Sequence, residues 1–132
     1  MEQSLIFIKP DGVERGLVGE VLKRFEQREI VIKLLELKQL TPEQVDAHYI
    51  EHIEKGFYPN LKEYILSGPV VLMVLEAENV ISIVRKMIGV TNSAEAEPGT
   101  IRGDFALNTS NNIIHASDSP ESAKREINNF FS

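Results

Sequence analysis

Apolar side chains recur along this chain in two rhythms, and each rhythm predicts an element. Leu5 to Ile8 is an unbroken apolar run within residues 4–9, short and continuous as a strand covered on both faces must be. Pro10-Asp11-Gly12 closes it with turn chemistry. Val18, Val21, Leu22 and Phe25 share a helical face, which predicts an amphipathic helix over residues 17–27. Ile30, Val31, Ile32, Leu34, Leu35 and Leu37 form an aliphatic run that predicts a second strand. Thr41-Pro42-Glu43-Gln44 marks a helix start, with Thr41 as N-cap, Pro42 in the first turn and Gln44 placed to complete a capping box. That helix is expected to run through Tyr49 and His52 and to end before Gly56. A short helix over residues 62–66 should follow, closed by Ser67-Gly68-Pro69.

Residues 70–75 carry the strongest strand signal of the chain. Val80, Ile83, Val84, Met87 and Ile88 then form a helical stripe, with Gly89 in the position that ends it. Residues 90–103 show no period, and a loop of that length in a compact domain is usually functional or disordered. Residues 105–107 and Ile113-Ile114 are short extended candidates. Ser119-Pro120 opens a last helix with Ala123, Ile127 and Phe130 on one face. Strands and helices interleave without repeat or linker, which predicts a single α/β (α+β) sandwich over residues 1–132.

A length of 132 residues suits one domain, and 42% hydrophobic residues suffice for a core. Fourteen basic against 20 acidic residues leave a net charge of −6. That balance argues against a nucleic-acid coat or a polybasic membrane tether. The lack of cysteine removes disulfides, thiolate metal sites and cysteine nucleophiles together. Met1-Glu2-Gln3-Ser4 lacks the basic start of a secretory signal, and no apolar run approaches ~20 residues, so a cytoplasmic location is expected.

His115 sits between an apolar pair and a helix start, crowded by polar neighbours. Glu126 follows on that helix, and Ser122, four residues before it, shares its face and can bond it. A carboxylate there would orient the imidazole through one ring nitrogen and leave a lone pair on the other, and a neutral imidazole is a competent nucleophile. A surface loop histidine fits the same spacing. Lys9 at a strand end, Arg85 on a helix and Arg102 in the long loop can converge on phosphates without a glycine-rich loop; the chain has neither a Walker A loop nor G-x-G-x-x-G. His48-Tyr49-Ile50-Glu51-His52 matches H-x-x-E-H, the helical spacing of a zinc hydrolase, which also needs a third ligand and a second lobe. Arg102-Gly103-Asp104 spells an adhesion tripeptide and Asn108-Thr109-Ser110 a sequon, both irrelevant without secretion. Phe57, Tyr58 and Leu61 read as packing or as a stacking platform.

Taken together these strings resemble nucleoside diphosphate kinase, from about Ser4 to Ile127. The segment from Asn112 through His115, Ser117, Asp118 and Ser122 to Glu126 is similar to that family's active-site signature. Lys9-Pro-Asp-Gly, His48-Tyr49, Ser67-Gly-Pro-Val-Val, Thr91-Asn92 and Pro98-Gly-Thr-Ile-Arg102-Gly-Asp-Phe agree in order and spacing. The resemblance implies a ferredoxin-like sandwich with a four-stranded antiparallel sheet. It implies transfer of a γ-phosphate from a nucleoside triphosphate to a nucleoside diphosphate, ATP and GDP among them, by ping-pong through a phosphohistidine. Carried over by position, His115 is the nucleophile, attacking through Nδ1. Glu126 orients it, Ser117 supports that carboxylate and Tyr49 packs beside the ring. Lys9, Arg85, Thr91, Arg102 and His52 hold phosphates, with Mg²⁺ bridging phosphate oxygens and no protein metal site. Asn112 and Lys9 reach the sugar hydroxyls, and Phe57 stacks on the base beside Leu61. The resemblance also implies a homo-oligomer, a tetramer or a hexamer of dimers, without nucleic-acid or membrane partners.

Some positions depart from the family's pattern. Ala116 stands where Gly is common and should narrow backbone freedom beside His115. Ser93 replaces a Pro and should loosen the long loop. Gly56, Tyr58 and Thr109 alter the surroundings of the base. The readings that compete with phosphotransfer are a zinc hydrolase on His48, Glu51 and His52, and a non-catalytic nucleotide sensor or scaffold.

Overall fold

The N-terminal apolar run becomes β1 (Glu2–Ile8), in which every residue from Ser4 to Ile8 is buried. It is buried because both faces of the strand are covered. Ile6 and Ile8 join one core, and Leu5 and Phe7, pointing the other way, join a second. The computed structural model describes residues 1–131. After β1 come α1 (Pro10–Glu14), α2 (Val18–Gln27), β2 (Val31–Lys38), α3 (Pro42–His48), α4 (Tyr58–Leu66), β3 (Val70–Ala77), α5 (Val80–Ile88), α6 (Ile101–Phe105), β4 (Ile114–Ala116) and α7 (Pro120–Phe131).

The strands form one four-stranded sheet in the order β2-β3-β1-β4, with each neighbouring pair antiparallel. This is the ferredoxin-like sandwich expected from the resemblance. Val21 and Phe25 of α2 and Val80, Val84 and Ile88 of α5 fill the first core. Val45 of α3, Ile65 of α4 and Phe130 of α7 fill the second. The two central strands, β3 and β1, carry most of the buried apolar residues of the sheet; the site grows from the end of β1 and from the edge strand β4.

Several local expectations are corrected. Pro10-Asp11-Gly12 is not a simple turn but opens the one-turn helix α1, because Pro10 suits a first helical position and needs no donor there. The helix begun by the Thr41–Gln44 capping box stops at His48; Tyr49 leaves helical geometry at φ −104° and residues Ile50–His52 make a 3₁₀ turn. Helix α4 starts at Tyr58, earlier than the apolar spacing suggests, with Pro59 in its first turn. Residues 105–107 do not form a strand: Phe105 ends α6, whose N-cap Thr100 accepts a 2.9 Å bond from the Gly103 amide through its hydroxyl. A methyl at position 103 would overlap the Glu97 carbonyl, so glycine is required by this close approach. The long segment is therefore built rather than loose. Ser93 is buried at the start of a 3₁₀ turn (Ser93–Glu95) that the Asn92 side chain caps, accepting from the Ala94 amide at 3.2 Å. Strand β2 forms as expected, yet Val31, Leu34, Leu35 and Leu37 stay 46–64% exposed along the sheet edge.

Candidate active site

His115 lies on β4 directly opposite Phe7 of β1, and their rings stack with centroids 5.0 Å apart. Strand alternation turns this side chain toward α3 and α7 while Ile114 and Ala116 face the other core. From α7, Glu126 meets it: the His115 Nε2–H donates to Glu126 Oε1 at 3.1 Å. The same oxygen accepts the Ser117 hydroxyl at 2.7 Å. Ser117 is fully buried, and its hydroxyl also accepts the Leu5 amide at 2.9 Å, so the serine is fixed by β1 before it touches the carboxylate. Burial holds the His115 ring below the usual imidazole range, against the opposing pull of Glu126. The result is a neutral ring with its Nε2 proton committed and Nδ1 left as the lone pair.

A cavity of about 390 Å³ opens before this ring, and cations line it. Lys9 follows the last residue of β1, and its ammonium donates to Asn112 Oδ1 at 2.7 Å. Burial and the nearby Arg102 push Lys9 down to about 8, while Asp11 resists the shift. Arg102 is not in a loop but on α6, with its guanidinium donating to the backbone carbonyls of Asn112, Gly89 and Ile114 at 3.3, 2.9 and 2.6 Å. Two of its five N–H donors remain uncommitted, which is the fork geometry an anion takes. Burial and Arg85 bring Arg102 down to about 10, so it stays charged at neutral pH. Arg85 on α5 donates to the Ala116 carbonyl at 3.2 Å. Thr91, Tyr49 and His52 complete the wall, and burial raises Tyr49 above the usual phenol range, so its hydroxyl keeps its proton.

One backbone position next to the nucleophile is strained. Ile113 takes φ +73°, a conformation β-branched residues rarely adopt. Two contacts hold it there. The Lys9 amide donates to its carbonyl at 2.7 Å, and its own amide donates to Asp11 Oδ2 at 3.2 Å. The Tyr64 hydroxyl donates to the other Asp11 oxygen. Such strain costs about 1–3 kcal/mol and persists only where the surroundings over-determine it. Here it turns the chain so that Asn112 meets Lys9 and His115 meets Glu126.

Some expectations are not met. Ser122 does not bond Glu126; its hydroxyl accepts from Ser119 at 3.0 Å. Ser117, five residues nearer the nucleophile, is the partner, as the resemblance implies. His48 and His52 do not share a helix: His52 sits in the 3₁₀ turn with its Nδ1 facing the Lys55 ammonium at 3.0 Å. The group of three metal-capable side chains among the described residues is instead His48, His115 and Glu126, with donor atoms within 4.8 Å of one another. Lys9, Arg85, Arg102 and Arg125 crowd the same cavity, so its field favours anions over a metal ion. Asp104 of the adhesion-like tripeptide is tied to Arg24 at 2.7 Å, and Arg102 is buried. Ala116 has ordinary strand geometry without positive φ, so its methyl strains nothing. Phe57 is half exposed with its ring 5.6 Å from His52, Leu61 packs against the second core, and Tyr58 is buried on Asp46. Sequence reasoning missed roles for Asp11, His48, Asp118 and Arg125. The last three line the cavity, and only the helical spacing of His48 before Tyr49 offered a hint.

The sequence and the fold have close counterparts among known proteins. The family model described as nucleoside diphosphate kinase matches residues 2–132. A nucleoside diphosphate kinase of Archaeoglobus fulgidus is 53% identical over 132 residues, covering 100% of this chain and 87% of that protein. One from Methanocorpusculum labreanum is 58% identical over 127 residues, 96% of this chain and 85% of the relative. Among solved structures, the enzyme of Encephalitozoon cuniculi superposes with a TM-score of 0.97 at 37% identity, covering 99% of this chain and 89% of that one. A halophilic nucleoside diphosphate kinase from Halobacterium salinarum, solved in complex with CDP, gives 0.96 at 38% identity, covering 99% and 88%. A histidine held neutral before a cationic cavity agrees with the family model and with these relatives: the chain belongs to the nucleoside diphosphate kinases, phosphotransferases that work through a phosphohistidine.

Proposed function

We propose that His115 is the phosphorylated residue of this chain and that the domain over residues 1–132 carries both half-reactions. The observation behind this is the split between the two ring nitrogens: Nε2–H is bound to Glu126 at 3.1 Å, which leaves Nδ1 uncommitted on a ring that lines the cationic cavity. In the first half-reaction the Nδ1 lone pair attacks the γ-phosphorus of a nucleoside triphosphate. The bond from that phosphorus to the β-phosphate oxygen breaks, and the nucleoside diphosphate leaves. A second diphosphate reverses the step. Glu126 stabilises the ring as it gains positive character, and Ser117 keeps the carboxylate in plane. A loose transition state carries charge on its equatorial oxygens, so positioning and cations supply the catalysis. Lys9, Arg85, Thr91, Arg102 and His52 hold the phosphates in this reading, and Tyr49 steadies the ring from the side.

The Lys9–Asn112 pair is a donor-acceptor set suited to sugar hydroxyls. Half-exposed Phe57, with Leu61 behind it, suits a base face and would tolerate many bases. Four cations on the cavity wall outnumber its carboxylates, Glu51, Asp118 and Glu126, which fits Mg²⁺ held mainly through the nucleotide's own phosphates. When bound there, it would neutralise phosphate charge.

The exposed aliphatic edge of β2 supports self-association, since an unpaired apolar edge strand is stable only when covered. The arrangement as dimers built into a tetramer or hexamer, like the cytoplasmic location, belongs to this proposal; no described helix is long and apolar enough to cross a membrane.

The test is a half-reaction. With triphosphate and Mg²⁺ but no acceptor, the enzyme should release one diphosphate per His115 and then stop. Continued release without acceptor would point to hydrolysis and overturn the reading.

A further inference from the structure

His48 has no role in the mechanism above, yet it is a buried polar side chain packed against the nucleophile. It is 7% exposed, and its ring is caged by Phe7 at 5.3 Å, Tyr49 at 4.5 Å, Phe130 at 5.4 Å and the His115 ring at 4.5 Å. Its Nδ1 is buried without a hydrogen-bond partner. The nearest carboxylate oxygen is Glu126 Oε2, at 3.9 Å. Glu126 is lopsided in the complementary way, because Oε1 accepts both His115 and Ser117. A carboxylate gripped through one oxygen can still swing about its last bond. That motion would rotate the very acceptor that orients the nucleophile.

We propose that His48 is a positioning residue: its neutral ring carries the proton on Nδ1, aims it at Glu126 Oε2, and closes on that oxygen when nucleotide binds, pinning the carboxylate that orients His115. The tautomer follows from elementary electrostatics. A bare lone pair facing a carboxylate oxygen at this distance repels it, whereas an N–H attracts it. The ring lines the cavity, where water can satisfy the Nε2 lone pair. The ring stays neutral throughout, because burial, helped by His115, Arg125, Lys9 and His52, drives it down to about 2. Long contacts in an enzyme without substrate commonly tighten in the reacting complex.

The inference rests on His115 as nucleophile, and its test separates the two. In His48→Phe the ring volume stays and the donor goes. In His48→Asn a side-chain N–H returns at nearly the Nδ1 position. His48→Phe should lower the rate of His115 phosphorylation about ten- to a hundredfold with KM little changed, as expected for losing a bond to a charged group. His48→Asn should recover most of that loss. Nitrogen NMR of the unmodified enzyme should show a protonated Nδ1 and a bare Nε2 at His48, a readout that needs neither turnover nor a folded variant. Equal rates in His48→Phe and the parent, no rescue by Asn, or the proton on Nε2 would each overturn the proposal. Failure to phosphorylate the parent enzyme at all would instead overturn the role of His115.

Discussion

Strands β4 and β2 bound the same sheet, and they differ in length, chemistry and cover. Strand β4 has three residues, and side chains from the helices secure its backbone: Arg102 binds the Ile114 carbonyl and Arg85 the Ala116 carbonyl. Strand β2 has eight residues, carries four half-exposed aliphatic side chains and bears none of the site. The difference shows how one sheet separates two tasks. At β4 the backbone is immobilised by arginines that also line the cavity, so in the proposed reading the same groups hold the nucleophile and meet its substrate. At β2 the edge is left apolar and unpaired, with no chemistry on it, and in the proposed reading it is the surface that meets a second chain.

The comparison can be broken first at its catalytic side. His115→Ala should reduce turnover more than a thousandfold, since the covalent intermediate is lost, and a coupled assay of triphosphate formation checks it. Glu126→Gln keeps the shape and removes the charge. It should cost roughly ten- to a hundredfold in kcat, because bonds to charged groups contribute about 1.5–3 kcal/mol. The pH profile of kcat/KM follows from the shifted groups. His115 lies below 6.5, so its lone pair is already available at neutral pH and the acid limb should fall below 6.5. Lys9 lies near 8 in the free enzyme and loses its charge above that, so kcat/KM should fall about tenfold by pH 9; Lys9→Arg should move that alkaline limb upward. The smallest effect on chemistry is expected at the other edge. Leu35→Lys with Leu37→Lys should leave single-turnover phosphorylation within about twofold while lowering the oligomeric state seen by analytical ultracentrifugation. A fully oligomeric double variant would remove β2 as the contact.

The sequence made the local rhythm of this fold readable. The buried run at Leu5–Ile8 and the stripe ending at Gly89 became the elements they predicted, and the Thr41 capping box began its helix where expected, though that helix stops at His48. The site was readable through resemblance, because the residues that form it are scattered from Lys9 to Glu126 and no spacing joins them. What stayed hidden has physical reasons. The exposure of β2 could not be read, since an apolar run looks the same whether a helix or a second chain covers it. Helical spacing pointed to Ser122 as the partner of Glu126, and only the resemblance named Ser117, which β1 fixes in place. Asp11 escaped notice because its task is to hold the strained backbone of Ile113, about a hundred residues away.

The account depends on a phosphoryl group passing through one nitrogen of residue 115. Intact-mass measurement after brief exposure to ATP, with and without an acid quench, tests this most directly. The protein should gain the mass of one phosphoryl group, lose it in acid or on addition of a diphosphate, and gain nothing as His115→Ala. A gain that survives acid, or that persists in His115→Ala, would contradict the account.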